Sequence, residues 1–247
     1  MRRAACRWAV VPAAGRGERF GGRLPKQYTP LRGRPILSWT LAALLGEPSI
    51  RGVMVALAEG DRRFARLPEC RDPRVRSCRG GARRELSVAR ALDALAGEAR
   101  DEDWVLVHDA ARPCLRREDL RRLMAAVAGD PVGGLLALPV SDTLKAAGRD
   151  GRSERTVSRE GLWRALTPQM FRYGVLRRAL ALSIEREREV TDEASAVEAL
   201  GLRPRLVPGR AGNIKITLPE DLALAAAIIA EGSPQGAHRS RLRRPRV

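Results

Sequence analysis

Short, continuously apolar runs alternate along this chain with stretches of helical spacing. That alternation constrains the fold more than any other feature. The apolar runs cover residues 9–11, 52–58, 75–78, 104–107 and 133–140, with further short strands expected over 205–207 and 213–216. Helical spacing covers 35–45 (proline in its first turn), 83–95, 118–128, 174–186, 192–200 and 219–230. Strands that are apolar on both sides belong in a parallel sheet covered on both faces, so the pattern predicts an α/β fold. Residues 141–159 break the alternation. They are polar, carry turn chemistry at Gly148, Asp150 and Gly151, and read as a hairpin arm leaving the body. An arm of this kind is suited to reach a partner subunit.

Ligands of open parallel sheets gather at the carboxyl ends of the strands. Four polar or glycine-rich loops are expected at that edge. The first, after residues 9–11, holds Gly15, Gly17, Gly21 and Gly22, interleaved with Arg16, Arg19, Arg23 and Lys26. Glycine lets a backbone turn sharply and bring its N–H groups to an anion, and the cations supply the charge that phosphates need. Neither GxxxxGK[ST] nor GxGxxG is present, so a basic surface turn remains the plain alternative. The other loops are Gly80–Gly81, the run HDAARP from His108, and the run SDT from Ser141. Asp109, at a strand end near a phosphate loop, is well placed to hold Mg²⁺ against phosphates. The alternative is a turn cap or a pair with Arg112. His108 is expected to be structural, since no nucleophile accompanies it. Ser87 is expected to cap a helix or to touch a nucleotide. Arg159, Thr191 and Lys215 form a later polar and cationic group, with Thr191 also a possible helix cap. Two cationic clusters suggest two phosphorylated ligands and transfer between them.

Composition sharpens the choice of residues. The 247-residue chain is 44% hydrophobic, enough for a full core without disulfides. Its four cysteines have no metal-ligand spacing, and with two histidines a zinc site is not expected. Scattered free thiols suit a reducing cytoplasm. The first apolar run is too short for a signal peptide and ends at Pro12, and no run approaches a membrane span. A net charge of +17 invites a nucleic-acid reading. However, five of those charges sit in residues 233–247, a basic tail expected to be disordered, and the rest are spread through every segment. Aromatic residues, at 4%, leave few base-stacking platforms, so no specific nucleic-acid partner is expected. Of 46 basic residues only Lys26, Lys145 and Lys215 are lysines. A planar guanidinium cannot copy a compact ammonium in a tight site, so Lys26 and Lys215 stand out as functional. The only asparagine, Asn213, lies two residues before Lys215.

The segments VVPAAGRGERF, LPKQY, HDAARP, TVSREGLWRALTPQMF, TDEASAVE and GNIKIT occur in the order, and at about the spacing, of the 2-C-methyl-D-erythritol 4-phosphate cytidylyltransferases. The resemblance runs from about Trp8 to Ala230. It implies a Rossmann-like α/β/α sandwich of the nucleotide-diphospho-sugar transferase type, mostly parallel, with a protruding β-arm. One domain would span residues 1–232, with the arm at about 141–160. The implied reaction joins CTP and methylerythritol phosphate, releasing pyrophosphate, in the cytoplasm and with Mg²⁺ at Asp109. Arg19, Lys26, Arg159 and Lys215 match the family's catalytic cations. Ala13, Ala14, Gly15, Gly80 and Ser87 fall where the family surrounds CTP, and Thr143, Thr167 and Thr191 match its polar contacts to the second substrate. Family members are homodimers with crossed arms, so Thr143 and Arg159 are expected to serve the partner's site. Leu86, Gly212 and Ser141 depart from the usual pattern at peripheral positions. A ribitol 5-phosphate cytidylyltransferase shares the glycine loop and HDAARP, whereas TDEASA, NIKIT and the arm favour methylerythritol phosphate.

Overall fold

The structure is a computed structural model that describes residues 4–15, 17, 20–21 and 24–232. Arg19 and the basic tail therefore lie outside the described residues. The seven strands of the main sheet are β1 (Arg7–Ala13), β4 (Ile50–Leu57), β5 (Val75–Arg79), β6 (Trp104–Val107), β7 (Gly133–Pro139), β10 (Trp163–Arg172) and β11 (Arg205–Pro208). Their spatial order is β11-β7-β10-β6-β1-β4-β5. The pairs β1–β4, β1–β6, β4–β5 and β7–β11 are parallel, and β10 runs antiparallel to both of its neighbours. A two-stranded turn, β2 (Pro30–Leu31) with β3 (Arg34–Pro35), precedes the first helix.

Successive residues of β1 point to opposite faces, and each face has its own core. Ala9 and Val11 pack with Leu37, Leu41, Leu120 and Leu123 from α1 (Ile36–Leu45) and α3 (Arg117–Val127). Val10 packs on the other side with Val88, Leu92, Leu176 and Val197. These come from α2 (Arg84–Ala94), α4 (Tyr173–Glu185) and α5 (Glu193–Glu198). The final helix, α6 (Asp221–Gly232), closes a third cluster with Ile36, Cys114 and Ile216. The expected doubly covered, mostly parallel sheet is what the chain forms.

Two elements differ from the expectation. β10 is a ten-residue central strand that the sequence pattern hides, because Pro168 interrupts it and proline argues against a central strand. The pairing of β10 with β7 shifts register between Ala165 and Gln169, and that irregularity accommodates a residue without an N–H. Residues 213–216, expected as a strand, are irregular. Ile216 donates one backbone hydrogen bond to Ala111, and Asn213 donates one to Arg210, so no ladder forms. The arm is present as the antiparallel pair β8 (Leu144–Ala147) and β9 (Ser153–Val157), with Gly151 at a left-handed φ of 76° in its turn. Its Lys145 donates across the arm to the Thr156 hydroxyl at 2.7 Å.

Candidate active site

Three loops at the carboxyl edge of the sheet enclose a cleft of about 240 Å³. Ala13, Ala14, Gly15 and Gly17 line it after β1, Gly81, Arg83, Arg84 and Ser87 after β5, and Asp109, Ala110 and Ala111 after β6. Lys26 and Lys215 complete the wall. Gly17 lies close against Lys26. Gly17 has φ 72°, and a Cβ there would stand 2.8 Å from the Lys26 Cβ. Gly80 does not line the cleft, but it sits where a Cβ would meet the Ala14 Cβ at 2.6 Å, so only glycine lets the first two loops close on each other.

Lys26 opens a short 3-10 turn (Lys26–Tyr28) that is pinned to β1, because the Gln27 amide donates to the Ala13 carbonyl at 2.7 Å. The Lys26 ammonium donates to the Ile216 carbonyl at 2.8 Å, one residue beyond Lys215. Ser87 lies in the first turns of α2 rather than at its cap position, which is Arg83. Its Oγ accepts from the Gly81 N–H at 3.0 Å and ties the loop to the helix.

Asp109 is the electrostatic centre. Its Oδ1 lies 3.1 Å from Arg84, and its Oδ2 lies 3.0 Å from the Lys215 ammonium and 3.4 Å from Arg112. Burial alone would raise this carboxyl, but Arg84, Lys215 and Arg112 outweigh it and hold Asp109 well below the usual carboxylate range. The pair with Arg112 therefore exists, as one of three. Arg112 is itself held by the Asn213 carbonyl at 2.7 Å, and the Asn213 side chain donates to the Thr167 carbonyl at 2.7 Å.

Thr167 and His108 sit behind this centre. The His108 Nε2 lies 3.1 Å from the Arg112 carbonyl, and its Nδ1 lies 2.8 Å from the Thr167 hydroxyl. A carbonyl only accepts, so Nε2 carries the proton and Nδ1 accepts from Thr167. The Thr167 oxygen then accepts the Asp109 backbone N–H at 3.1 Å. Burial pulls His108 down from its ordinary 6.5 to about 4, with Asp109 offsetting only part of that. This neutral ring is a support, not a base. The sign of its linkage is fixed. The unfolded chain binds a proton near pH 6.5 that the folded chain refuses until about pH 4, so stability is full above 6.5 and falls below it. Urea unfolding is expected to show a loss of about 1 kcal/mol between pH 7.5 and 5.5. A His108→Gln variant, which has no such titration, should lose that slope; an unchanged slope would clear His108 of it.

The structure brings Ala13, Ala14, Gly15, Lys26, Ser87, Asp109 and Lys215 into one cleft, with Gly80 packed directly behind it. Thr143, Arg159 and Thr191 are exposed and do not line this chain's cleft. Arg159 bonds the Ser141 carbonyl at the base of the arm, and Thr191 precedes a capping box made by Asp192 and Ser195. Asp192, not Thr191, is the cap of α5. Two participants escape a reading of the sequence. Arg84 contacts Asp109 and makes two hydrogen bonds to Glu193, yet nothing separates it from the many other arginines of the chain. Glu193 reads only as an acid in the first turn of a helix.

Among the described residues, no group of three or more His, Cys, Asp or Glu side chains is arranged to hold a metal. No helix of the described residues is long and apolar enough to cross a membrane.

Residues 8–231 match the family model described as IspD, 2-C-methyl-D-erythritol 4-phosphate cytidylyltransferase. A protein of that name from Acidithiobacillus ferrooxidans is 53% identical over 234 residues, covering 93% of this chain and 98% of the relative. Among solved structures, a 4-diphosphocytidyl-2C-methyl-D-erythritol synthase superposes with a TM-score of 0.81 at 37% identity, covering 92% of this chain and 100% of the other. The enzyme from Francisella tularensis superposes with a TM-score of 0.77 at 32% identity, covering 91% and 100%. The matched range takes in every strand of the main sheet except its first residue, and the chain belongs to the 2-C-methyl-D-erythritol 4-phosphate cytidylyltransferase family.

Proposed function

We propose that this chain transfers a cytidylyl group from CTP to 2-C-methyl-D-erythritol 4-phosphate, giving 4-diphosphocytidyl-2-C-methyl-D-erythritol and pyrophosphate. One observation carries the reading. In a chain of this family, the cleft at the strand ends is walled by glycine and lined by Lys26, Arg84 and Lys215, with Asp109 as its one lining carboxylate among the described residues. Such a cleft suits a triphosphate meeting a second phosphate.

The acceptor phosphate attacks the α-phosphorus of CTP in line, and the bond to the β-phosphate oxygen breaks. The nucleophile is already an anion, so no general base is required, in keeping with a neutral, buried His108. What the chain supplies is position and neutralisation of charge. Lys26 and Arg19 are assigned to the α-phosphate, Lys215 and Arg159 to the acceptor, and the glycine loop with Ser87 to the nucleotide. Thr167 acts from behind by holding the backbone of Asp109. Thr143 and Arg159, which do not line this chain's own cleft, are assigned through the arm to the cleft of a second subunit, in a cytoplasmic homodimer. Thr191 is assigned to the acceptor side.

The Asp109 carboxylate in the lining fits Mg²⁺, which takes one or two carboxylates and fills its shell with phosphate oxygens and water. Asp109 would hold it, and the ion would neutralise triphosphate charge. Because the Lys215 ammonium already sits on the Asp109 Oδ2, it must turn toward phosphate for that to happen.

The test is pyrophosphate release with CTP, ATP, GTP or UTP as donor and methylerythritol phosphate or ribitol 5-phosphate as acceptor. Turnover is expected with CTP and methylerythritol phosphate alone. Equal use of all four nucleotides, or preference for ribitol 5-phosphate, would overturn the reading.

A further inference from the structure

We infer that Glu193 is a positioning residue for this reaction, acting through Arg84. The inference rests on the function proposed above. Glu193 is a carboxylate whose side chain is 1% exposed, at the start of α5 and outside the cleft. Arg84 binds both of its oxygens, with Nη1 at 2.6 Å and Nη2 at 3.0 Å. The remaining edge of the same guanidinium faces Asp109, with Nε at 3.2 Å. Burying an ion pair of this kind seldom helps stability more than apolar packing would. Its return is geometric. A planar fork held along one edge has its other edge fixed in direction, and here that edge points at the carboxylate in the cleft.

Glu193 is in turn immobilised. Asp192 and Ser195 form a capping box around it. Gln169, on the central strand β10, accepts the Ala194 N–H at 2.8 Å and donates to Asp192 at 2.8 Å. A rigid line thus runs from the sheet through α5 to Arg84 and Asp109. Without Glu193, Arg84 would keep its charge but have Asp109 as its remaining carboxylate partner, and could swing onto it. The phosphates would still be attracted. The charges meant for the transition state would be misplaced.

The experiment compares Glu193→Gln, Arg84→Gln and the double variant with the wild type, all checked for folding by circular dichroism and thermal melting. Glu193→Gln keeps the size and one acceptor oxygen, but it loses the charge and puts an NH2, which cannot accept from Arg84, in place of the second oxygen. Its kcat is expected to fall at least about 10-fold, while KM for CTP and for methylerythritol phosphate stays within about 3-fold. The double variant is expected to be no slower than Arg84→Gln alone, because both changes remove the same arrangement. Wild-type kcat in Glu193→Gln, a loss confined to KM, or losses that multiply in the double variant would each overturn the inference. Glu193→Asp, which keeps the charge but cannot span the fork, carries the same test should the glutamine variant not fold. If wild type turns over CTP while the variants fail these criteria, this inference alone falls; absence of wild-type turnover removes the proposed function with it.

Discussion

Replacing Lys26 with alanine is expected to lower kcat by about 10²–10³-fold while leaving the fold unchanged, by analogy with removing one donor aimed at transition-state charge. The reason is local. The turn that carries Lys26 is held by Gln27, bonded to the end of β1, and by buried Tyr28, so the backbone keeps its place when the side chain is cut. What disappears is one ammonium in the cleft wall and its bond to the Ile216 carbonyl. No large core cavity is left, because Lys26 is only half-buried. Lys26→Arg separates charge from shape. Its planar fork must fit where a compact ammonium now donates to the Ile216 carbonyl at 2.8 Å, so this variant is also expected to lose more than about 10-fold. Steady-state pyrophosphate release and a thermal melt are the measurements. Near-normal turnover in the alanine variant would take the lysine out of the mechanism, and full activity in the arginine variant would show that charge alone suffices.

Replacing Asp109 with asparagine is expected to separate binding from turnover. Asp109 is shared by Arg84, Arg112 and Lys215, and its removal leaves three cations with Glu193 as the carboxylate at that centre. Anions should bind as well as before or better, since the cleft becomes one charge more positive. Turnover should fall by at least about 10²-fold, because the cations lose the anchor that arranges them and the carboxylate assigned to Mg²⁺ is gone. Calorimetric titration with CTP, with and without Mg²⁺, measures the first effect, and pyrophosphate release the second. Stability should fall too, by about 3–5 kcal/mol, as is usual when one member of a buried ion-pair cluster is lost. The direction with pH is fixed by the lowered pKa of Asp109. Its contribution is complete above the ordinary carboxylate range and drains away as pH falls through and below about 4, so wild type and variant should converge in stability under acid. Weakened CTP binding with turnover intact would contradict the whole arrangement.

The apolar runs dictated most of the sheet. Residues such as Val10 and Val11 are apolar on both sides of the strand, and only a doubly covered parallel sheet can bury both. The glycine loop, the strand-end aspartate and two of the three lysines were legible for a related reason: backbone freedom, a strand-end carboxylate and a compact ammonium are properties of single residues at single positions. β10 was hidden because Pro168 denies the pattern of a central strand, although neighbouring strands and a register shift make room for it. Arg84 and Glu193 were hidden because their meaning lies in each other. They are 109 positions apart, and neither is unusual alone. Local chemistry is written in the order of residues, whereas the pairing of buried charges depends on which distant elements the packed core brings within 3 Å, and only the tertiary structure decides that.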